Sequence, residues 1–174
     1  YADACRPGNP RDTSVEEITN NQNGKITVAE GKYLVVSKNM KDICRFDGKV
    51  KFSGSEQQSI TLKENANYPH IVVDKDGGKI TFTNAMTVGL FETENSPETV
   101  FESNVSVGTF TDKADSGRYI FNKNASFATE TIFNTTETVS FGSDENSTTS
   151  FGTTDNPVNF THTAGNTTIA GNVV

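Results

Sequence analysis

A short, degenerate unit recurs through the second half of this 174-residue chain, and it constrains the fold more than any other feature. Each copy is a strand-like segment with one aromatic or aliphatic residue, followed by small polar residues with Gly, Asn or Asp. The copies lie at residues 99–104, 131–136, 138–143, 149–154, 158–163 and 167–172. Units this short cannot bury an apolar face alone, but stacked strands cover one another. The repetition therefore predicts a parallel β-solenoid.

The composition agrees with many short strands around a narrow core. Hydrophobic residues make up only 33% of the chain, yet Val, Ile and Thr are plentiful and there are 12 Phe, which a disordered chain would lack. Apolar residues also alternate with polar ones around Ile26, Val50, Ile60 and Ile80, which predicts strands before the repeats begin. A β-sandwich is the structural alternative, because its strands recur at similar intervals. The similarity of the units to one another favours the solenoid.

The first quarter of the chain differs from the rest. We predict an N-terminal capping segment at residues 1–48 and solenoid rungs at residues 49–174. An S-x-x-E pattern that begins at Ser14 would suit one short helix in the cap. The two cysteines, Cys5 and Cys44, predict one disulfide in an oxidising compartment, and two unrelated thiols are the alternative. The chain stops in the middle of its repeat pattern, as we expect of a piece cut from a longer protein.

Charge is distributed unevenly along the chain and limits the choice of partners. Residues 1–80 hold 12 basic and 11 acidic side chains, whereas residues 81–174 hold 3 basic and 11 acidic ones. An acidic second half argues against nucleic acid and anionic lipid as partners, and solubility is its simplest role. No run of about 18 apolar residues is present, so we expect no membrane insertion by this segment.

A family resemblance rests on residues 151–154 (FGTT), 158–160 (VNF) and 164–173 (AGNTTIAGNV). In their recurring Gly-, Asn- and Thr-rich units, residues 80–174 resemble the passenger regions of autotransporter (type V secretion) surface proteins, and in particular rickettsial surface antigens. The resemblance implies a right-handed parallel β-helix, export to the outer face of the bacterial outer membrane, and attachment to a host-cell protein or glycan. The family is usually poor in cysteine, so Cys5 and Cys44 depart from its pattern, and we interpret the N-terminal segment that contains them as a cap specific to this protein.

Candidate catalytic and metal-binding motifs are few. Residues 115–117 (DSG) resemble the surroundings of a serine-protease nucleophile, but the preceding Gly is missing and a turn explains them better. Residues 74–78 (DKDGG) also read as a turn, because they lack the closing acidic residue of a calcium loop. The two histidines, His70 and His162, are expected to be solvated loop residues, and no His/Cys cluster has zinc spacing. We therefore predict a non-catalytic protein without metal or cofactor.

A carbohydrate-active β-helix enzyme is the catalytic alternative. Such enzymes gather acidic and basic side chains on one outer face of the coil. Here the acidic residues of the second half, for example Glu92, Glu94 and Asp112, are expected at turns, with few basic residues near them in sequence. This alternative is therefore disfavoured.

Four apolar doublets suggest a contact surface: Leu90-Phe91, Val100-Phe101, Ile120-Phe121 and Ile132-Phe133. In a strand, neighbouring side chains point to opposite faces, so one member of each doublet faces outward unless a bulge or loop covers it. If the outward members stack, they form an apolar contact stripe, which we assign to Phe91, Phe101, Phe121 and Phe133. A second copy of the chain would then be a partner, and self-association is the alternative to host attachment.

Overall fold

The computed structural model describes residues 13–16, 18–19, 26–43, 46–63 and 67–174. Within these residues the protein is all-β without a helix, and its strands stack mostly in parallel as a β-solenoid of about 7 turns. The predicted fold class is confirmed. A sandwich is excluded, because its strands would run antiparallel.

Two sheets form the walls of the coil, and a small third sheet lies near its N-terminal end. The twelve-stranded sheet contains β1 (Thr13–Val15), β4 (Tyr33–Val36), β7 (Lys49–Ser53), β9 (Asn67–Asp74), β11 (Met86–Asn95), β13 (Val105–Asp112), β15 (Ala125–Phe127), β16 (Thr131–Phe133), β18 (Thr148–Thr153), β19 (Asn156–Pro157), β20 (Phe160–His162) and β22 (Asn172–Val173). The eight-stranded sheet contains β2 (Ile18–Thr19), β5 (Met40–Ile43), β8 (Gln58–Leu62), β10 (Lys79–Phe82), β12 (Glu98–Phe101), β14 (Arg118–Phe121), β17 (Val139–Phe141) and β21 (Thr167–Ile169). The third sheet pairs β3 (Ile26–Thr27) with β6 (Phe46–Asp47). In the described residues, antiparallel pairing is confined to β18 and β19.

The twelve-stranded sheet covers two sides of the coil. Strand β13 pairs with β15 through its first half and with β16 through Thr111, so its two halves stack on separate strands of the next turn. Gly108 lies between these halves, and a Cβ there would approach the carbonyl oxygen of Gly89, one turn earlier, to 2.5 Å. A side chain at this position would push adjacent turns apart.

The repeated unit turns out to be one side of the coil rather than a full turn. In the eight-stranded sheet Val100 pairs with Ile120, and Ile120 pairs with Ser140, so one turn of the coil spans the chain from each of these residues to the next. Two or three units therefore make one turn, and neighbouring units in the sequence lie on different sides of the coil. This explains why the anchors recur in the sequence more than once for every turn of the coil.

Ladders of phenylalanine fill the core. In the longest ladder the ring of Phe101 stacks on Phe82 and Phe121 at centroid distances of 5.2 and 4.7 Å, and Phe121 stacks on Phe141 at 5.0 Å. The planes of each pair lie within 14° of parallel. Each aromatic pair adds about 0.5–1.5 kcal/mol beyond its buried area. These ladders explain how a chain with few hydrophobic residues keeps a continuous core.

A buried carboxylate joins consecutive turns at one corner of the coil. Asp112 closes β13, is 2% exposed, and accepts five hydrogen bonds. Its donors, at 2.6–3.0 Å, are the hydroxyls of Thr93 and Tyr119 and the backbone N–H groups of Ala114, Asn134 and Thr135. Burial, followed by the nearby Asp112 charge, raises the pKa of Tyr119 far above its ordinary value, so the phenol stays a donor.

A buried lysine occupies the same corner of the coil closer to the N-terminus. Lys75 is 1% exposed, and its Nζ donates to the carbonyl oxygens of Gly54 at 3.2 Å and Glu56 at 2.7 Å and to Oε1 of Gln58 at 3.1 Å. Burial lowers the pKa of Lys75, but three acceptors match the three N–H bonds of its ammonium group. The residue is held as a structural crosslink between turns.

The structure confirms one local prediction, the turn at residues 115–117, and contradicts another, the short helix beginning at Ser14. Residues 115–117 form the predicted turn before β14, where Gly117 has a φ of +126° and a Cβ would lie 1.8 Å from the carbonyl oxygen of Ser96. The short helix beginning at Ser14 is wrong, because Ser14 and Val15 belong to β1 and pair in parallel with β4. Backbone hydrogen bonds to a neighbouring strand outweigh a four-residue capping pattern.

Strand pairing near the N-terminus bears on the predicted boundary between the cap and the rungs. Strands β1 and β4 join the same parallel sheet as β7, so rung-like pairing occurs before residue 49. The division into a cap at 1–48 and rungs at 49–174 stays a prediction.

Candidate functional site

Charged side chains from successive turns meet on the outer face of the twelve-stranded sheet. We name this set the outer charged cluster: Lys51, His70, Asp74, Glu92, Glu94 and Lys113. The strand register brings them together, since Lys51 pairs with Val72 and Val72 with Glu92, and His70 and Asp74 lie two residues to either side of Val72. Side chains that are far apart in sequence therefore meet in neighbouring columns along the coil.

Lys51 is the centre of the first half of the cluster. Its Nζ donates to Oε2 of Glu94 at 2.7 Å and to Oδ2 of Asp74 at 3.1 Å, and Asn95 donates to the other Asp74 oxygen at 2.9 Å. The hydrogen bond from Asn95, followed by Lys51, lowers the pKa of Asp74. Burial alone would lower the pKa of Lys51, but its two carboxylate partners outweigh burial and raise it.

Glu92 is the centre of the second half. Lys113 Nζ donates to its Oε1 at 2.6 Å, and His70 Nε2 contacts its Oε2. Burial would raise the pKa of Glu92, but the hydrogen bonds and charges of Lys113 and His70 outweigh it and lower the pKa. The pKa of Lys113 is raised by its hydrogen bond to Glu92. These lysine and histidine contacts thus tie β9, β11 and the end of β13 together.

These contacts limit the chemistry of the cluster. A general acid needs a carboxyl whose pKa is raised towards neutrality, and the pKa values of Glu92 and Asp74 are shifted the other way. Among the described residues, no three or more His, Cys, Asp or Glu side chains are placed to share a metal ion. The geometry suits crosslinking of turns and contact with a charged partner.

An aromatic and basic patch lies next to the cluster, and we name Tyr33, Lys49 and Lys51 the Tyr33 patch. The Nζ atoms of Lys49 and Lys51 lie 5.3 and 5.5 Å from the centroid of the Tyr33 ring, within cation–π range. The ring of His70 meets the Tyr33 ring edge-on at 6.2 Å. Whereas Lys51 is paired with carboxylates, Lys49 has no carboxylate partner in the described part of the chain.

Two surface clefts accompany these features. A cleft of about 450 Å³ at the corner beside the cluster is lined by Asp76, Glu94, Lys113 and Asp115, among others. A second, of about 400 Å³, crosses four turns of the twelve-stranded sheet and is lined by uncharged Asn, Ser, Thr, Ala, Met and Val residues. Neither encloses the apolar cavity typical of a small-molecule site.

Several sequence expectations about charged residues are wrong. His70 is not a solvated loop residue: it lies in β9, is 9% exposed and contacts Glu92. His162 lies in β20, where Nε2 is 3.0 Å from the carbonyl oxygen of Thr135. Glu92 and Glu94 lie within β11, not at turns. Their basic partners are distant in sequence, so the only signal for the cluster was a spacing near one coil period, as from Glu92 to Lys113.

The predicted contact stripe is also corrected. Phe91, Phe101, Phe121 and Phe133 are each at most 1% exposed and belong to the core ladders, so they cannot form a surface stripe. The outward members of the doublets do not replace it. Of these, only Val100 and Ile120 are neighbours, while Leu90 pairs with Thr109 and Ile132 with Thr111. Self-association through an apolar stripe therefore loses its support.

The predicted disulfide involves two residues that the structure does not describe. Cys5 and Cys44 lie outside the described residues. Their pairing stays a prediction.

Comparisons with protein-family models, with curated proteins and with solved structures find no match to this chain. Among the described residues, none forms a helix long and apolar enough to cross a membrane.

Proposed function

We propose that this chain is a non-catalytic passenger segment of an autotransporter-type bacterial surface protein and that it mediates attachment to host cells. Support comes from the resemblance of residues 80–174 to such passengers together with the β-solenoid fold. A rigid coil of this kind presents long outer walls at a distance from the membrane that anchors it.

One observation carries the non-catalytic part of the proposal. In the eight-stranded sheet the stacked positions Thr81, Val100, Ile120 and Ser140 are almost evenly spaced in the sequence. The described turns between Thr81 and Ser140 therefore contain no long loop that could build the deep cleft that encloses a substrate, and the longer step from Ser140 to Thr168 contains β18, β19 and β20. Smooth outer walls suit contact with an extended partner.

Cell binding tests the attachment proposal. The purified chain, fluorescently labelled, is titrated onto cultured animal cells, with and without an excess of unlabelled chain. We expect saturable binding that the unlabelled chain displaces. Binding that stays linear and is not displaced would contradict attachment and leave the role of a spacer.

The carbohydrate-active alternative keeps one specific observation in its favour. The outer charged cluster gathers three carboxylates and a histidine on one outer face, which the sequence did not predict. Incubation of the chain with acidic and neutral polysaccharides, followed by measurement of new reducing ends, tests this alternative. Release that is abolished by Glu92→Gln would replace the attachment proposal with an enzymatic one.

A further inference from the structure

The bend between β9 and β10 brings together two reactive groups that the fold leaves unengaged. This bend contains Asp76-Gly77, and the side chain of Asp76 is exposed. Among the described residues, the Asp76 carboxylate makes no hydrogen bond or ion pair, and the N–H of Gly77 donates no hydrogen bond. A carboxyl group and the amide nitrogen of the following residue are therefore both available in a segment that belongs to no strand.

These two groups are the reactants of aspartate isomerisation. The Gly77 nitrogen attacks Cγ of Asp76, an N–C bond forms, and the hydroxyl of the carboxyl group leaves with the amide proton as water. Water then opens the resulting succinimide ring. When it attacks the main-chain carbonyl of Asp76, the bond from that carbonyl to the Gly77 nitrogen breaks, and the chain continues through the former side chain as isoaspartate. One water leaves and one enters, so no other reactant is needed.

The structure distinguishes Asp76 from other aspartates of the chain. The N–H group that follows each of three others is held by a hydrogen bond: Lys75 to Asn95 O, Lys113 to Thr93 O and Asn156 to Thr153 Oγ1. Asp47 also precedes a glycine, which offers no side chain to hinder the attack, but Asp47 lies in β6 and pairs in parallel with Thr27. Of these two Asp-Gly pairs, only the one at Asp76 lies outside a strand.

We propose that Asp76 isomerises spontaneously to isoaspartate in the folded protein and that the product loosens this corner of the coil. The inference is independent of the attachment function. The bend packs closely on the previous turn, since a Cβ on Gly78 would lie 2.6 Å from the carbonyl carbon of Glu56. The same Glu56 carbonyl accepts a hydrogen bond from Lys75 Nζ at 2.7 Å. Isomerisation adds one methylene to the main chain before Gly77, so the bend shifts against Glu56 and displaces an acceptor of the buried lysine.

Ageing of the whole chain tests the chemical step. The protein is kept in warm neutral buffer, folded or unfolded in urea, and isoaspartate is quantified by enzymatic methylation and located by peptide mass spectrometry. In the folded protein we expect isoaspartate to accumulate at least about fivefold faster at Asp76 than at Asp47, because β6 must open before Asp47 reacts. In urea the two sites should react at similar rates. No isoaspartate at Asp76 in the folded protein, or a rate there no higher than at Asp47, would overturn the proposal.

A matched variant tests the effect on the corner. Asp76→Glu keeps the charge, but a glutamate would have to close a less favourable six-membered ring. Fresh and aged samples of both proteins are unfolded in urea. We expect the midpoint of the unchanged chain to fall with age in proportion to its isoaspartate content at Asp76, and the midpoint of Asp76→Glu to stay constant. Equal falls in both proteins, or a constant midpoint despite isoaspartate at this position, would refute the loosening of the corner.

Discussion

Replacing Asp112 by Asn tests whether a single buried carboxylate locks adjacent turns of the coil. Oδ1 accepts from Thr93, Tyr119 and the backbone N–H of Ala114, and Oδ2 accepts from two further backbone N–H groups. An amide has one acceptor and one donor end, so Asp112→Asn cannot accept at both positions. The least costly orientation turns the amide nitrogen towards the hydroxyls, which can rotate to accept.

The expected loss follows from the groups that this orientation leaves unpaired. The N–H of Ala114 then faces an amide N–H₂ group, which costs about 1–3 kcal/mol for a buried unsatisfied donor. The remaining contacts lose the extra strength of a charged acceptor. We expect Asp112→Asn to lower the free energy of unfolding by about 2–4 kcal/mol.

Urea unfolding followed by circular dichroism measures this loss, and Asp115→Asn is the control. Asp115 lies three residues further on, is exposed, and its replacement changes the net charge equally. Hydrogen exchange should show faster exchange of the Ala114 amide in Asp112→Asn only. If the two variants unfold within about 0.5 kcal/mol of one another, the lock does not exist and the five hydrogen bonds contribute little.

The other predictions concern the core, a turn and the outer charged cluster. Phe121→Ala should lower the free energy of unfolding by about 3–5 kcal/mol in urea, because it opens a cavity in the longest ladder, and a loss below about 1 kcal/mol would contradict stacking there. Gly117→Ala, whose Cβ would meet the Ser96 carbonyl, should destabilise far more than Gly31→Ala, which has open space around its Cβ; similar unfolding midpoints would refute the close approach. The folded pKa of Glu92 lies below its ordinary value of 4.5, so its contribution to stability is present above that pH and is lost as pH falls through the lower folded pKa. Glu92→Gln should therefore flatten the acid limb of the stability curve measured by urea unfolding, and an unchanged limb would exclude this linkage.

Local sequence patterns were sufficient to predict the fold class, but they did not identify which residues contact one another across turns of the coil. Alternation around Val50 and Phe52 and the Asp-Ser-Gly turn before β14 are set by contacts within a few residues, and the structure confirms both. The wall on which each strand lies depends on the length of a whole turn. Because two or three units share one turn, similarity between adjacent units does not reveal which of them stack.

The same distinction explains why the candidate site was missed. Glu92 meets Lys113 and His70 only because they lie about one coil period away on either side, and no local pattern links them. Asp112 shows a related difficulty, since an acidic residue at a strand end looks like a turn residue until backbone N–H groups from another turn surround it. Sequence reasoning placed it at a turn and gave it no structural role.

One period of the coil is the step from Val100 to Ile120. When it is applied along the sequence, this period identifies residues that meet on adjacent turns, both in the core and on the outer face. It connects Phe82, Phe101, Phe121 and Phe141 into one ladder and also connects Glu92 with Lys113 on the outer face. Inward positions along such a coil need only an apolar residue at each period, whereas outward positions are free to vary without disturbing the core. Charge on the outer wall, as in the outer charged cluster and the Tyr33 patch, is therefore not required by the core, and it is at these positions that a solenoid of this kind can acquire a binding function.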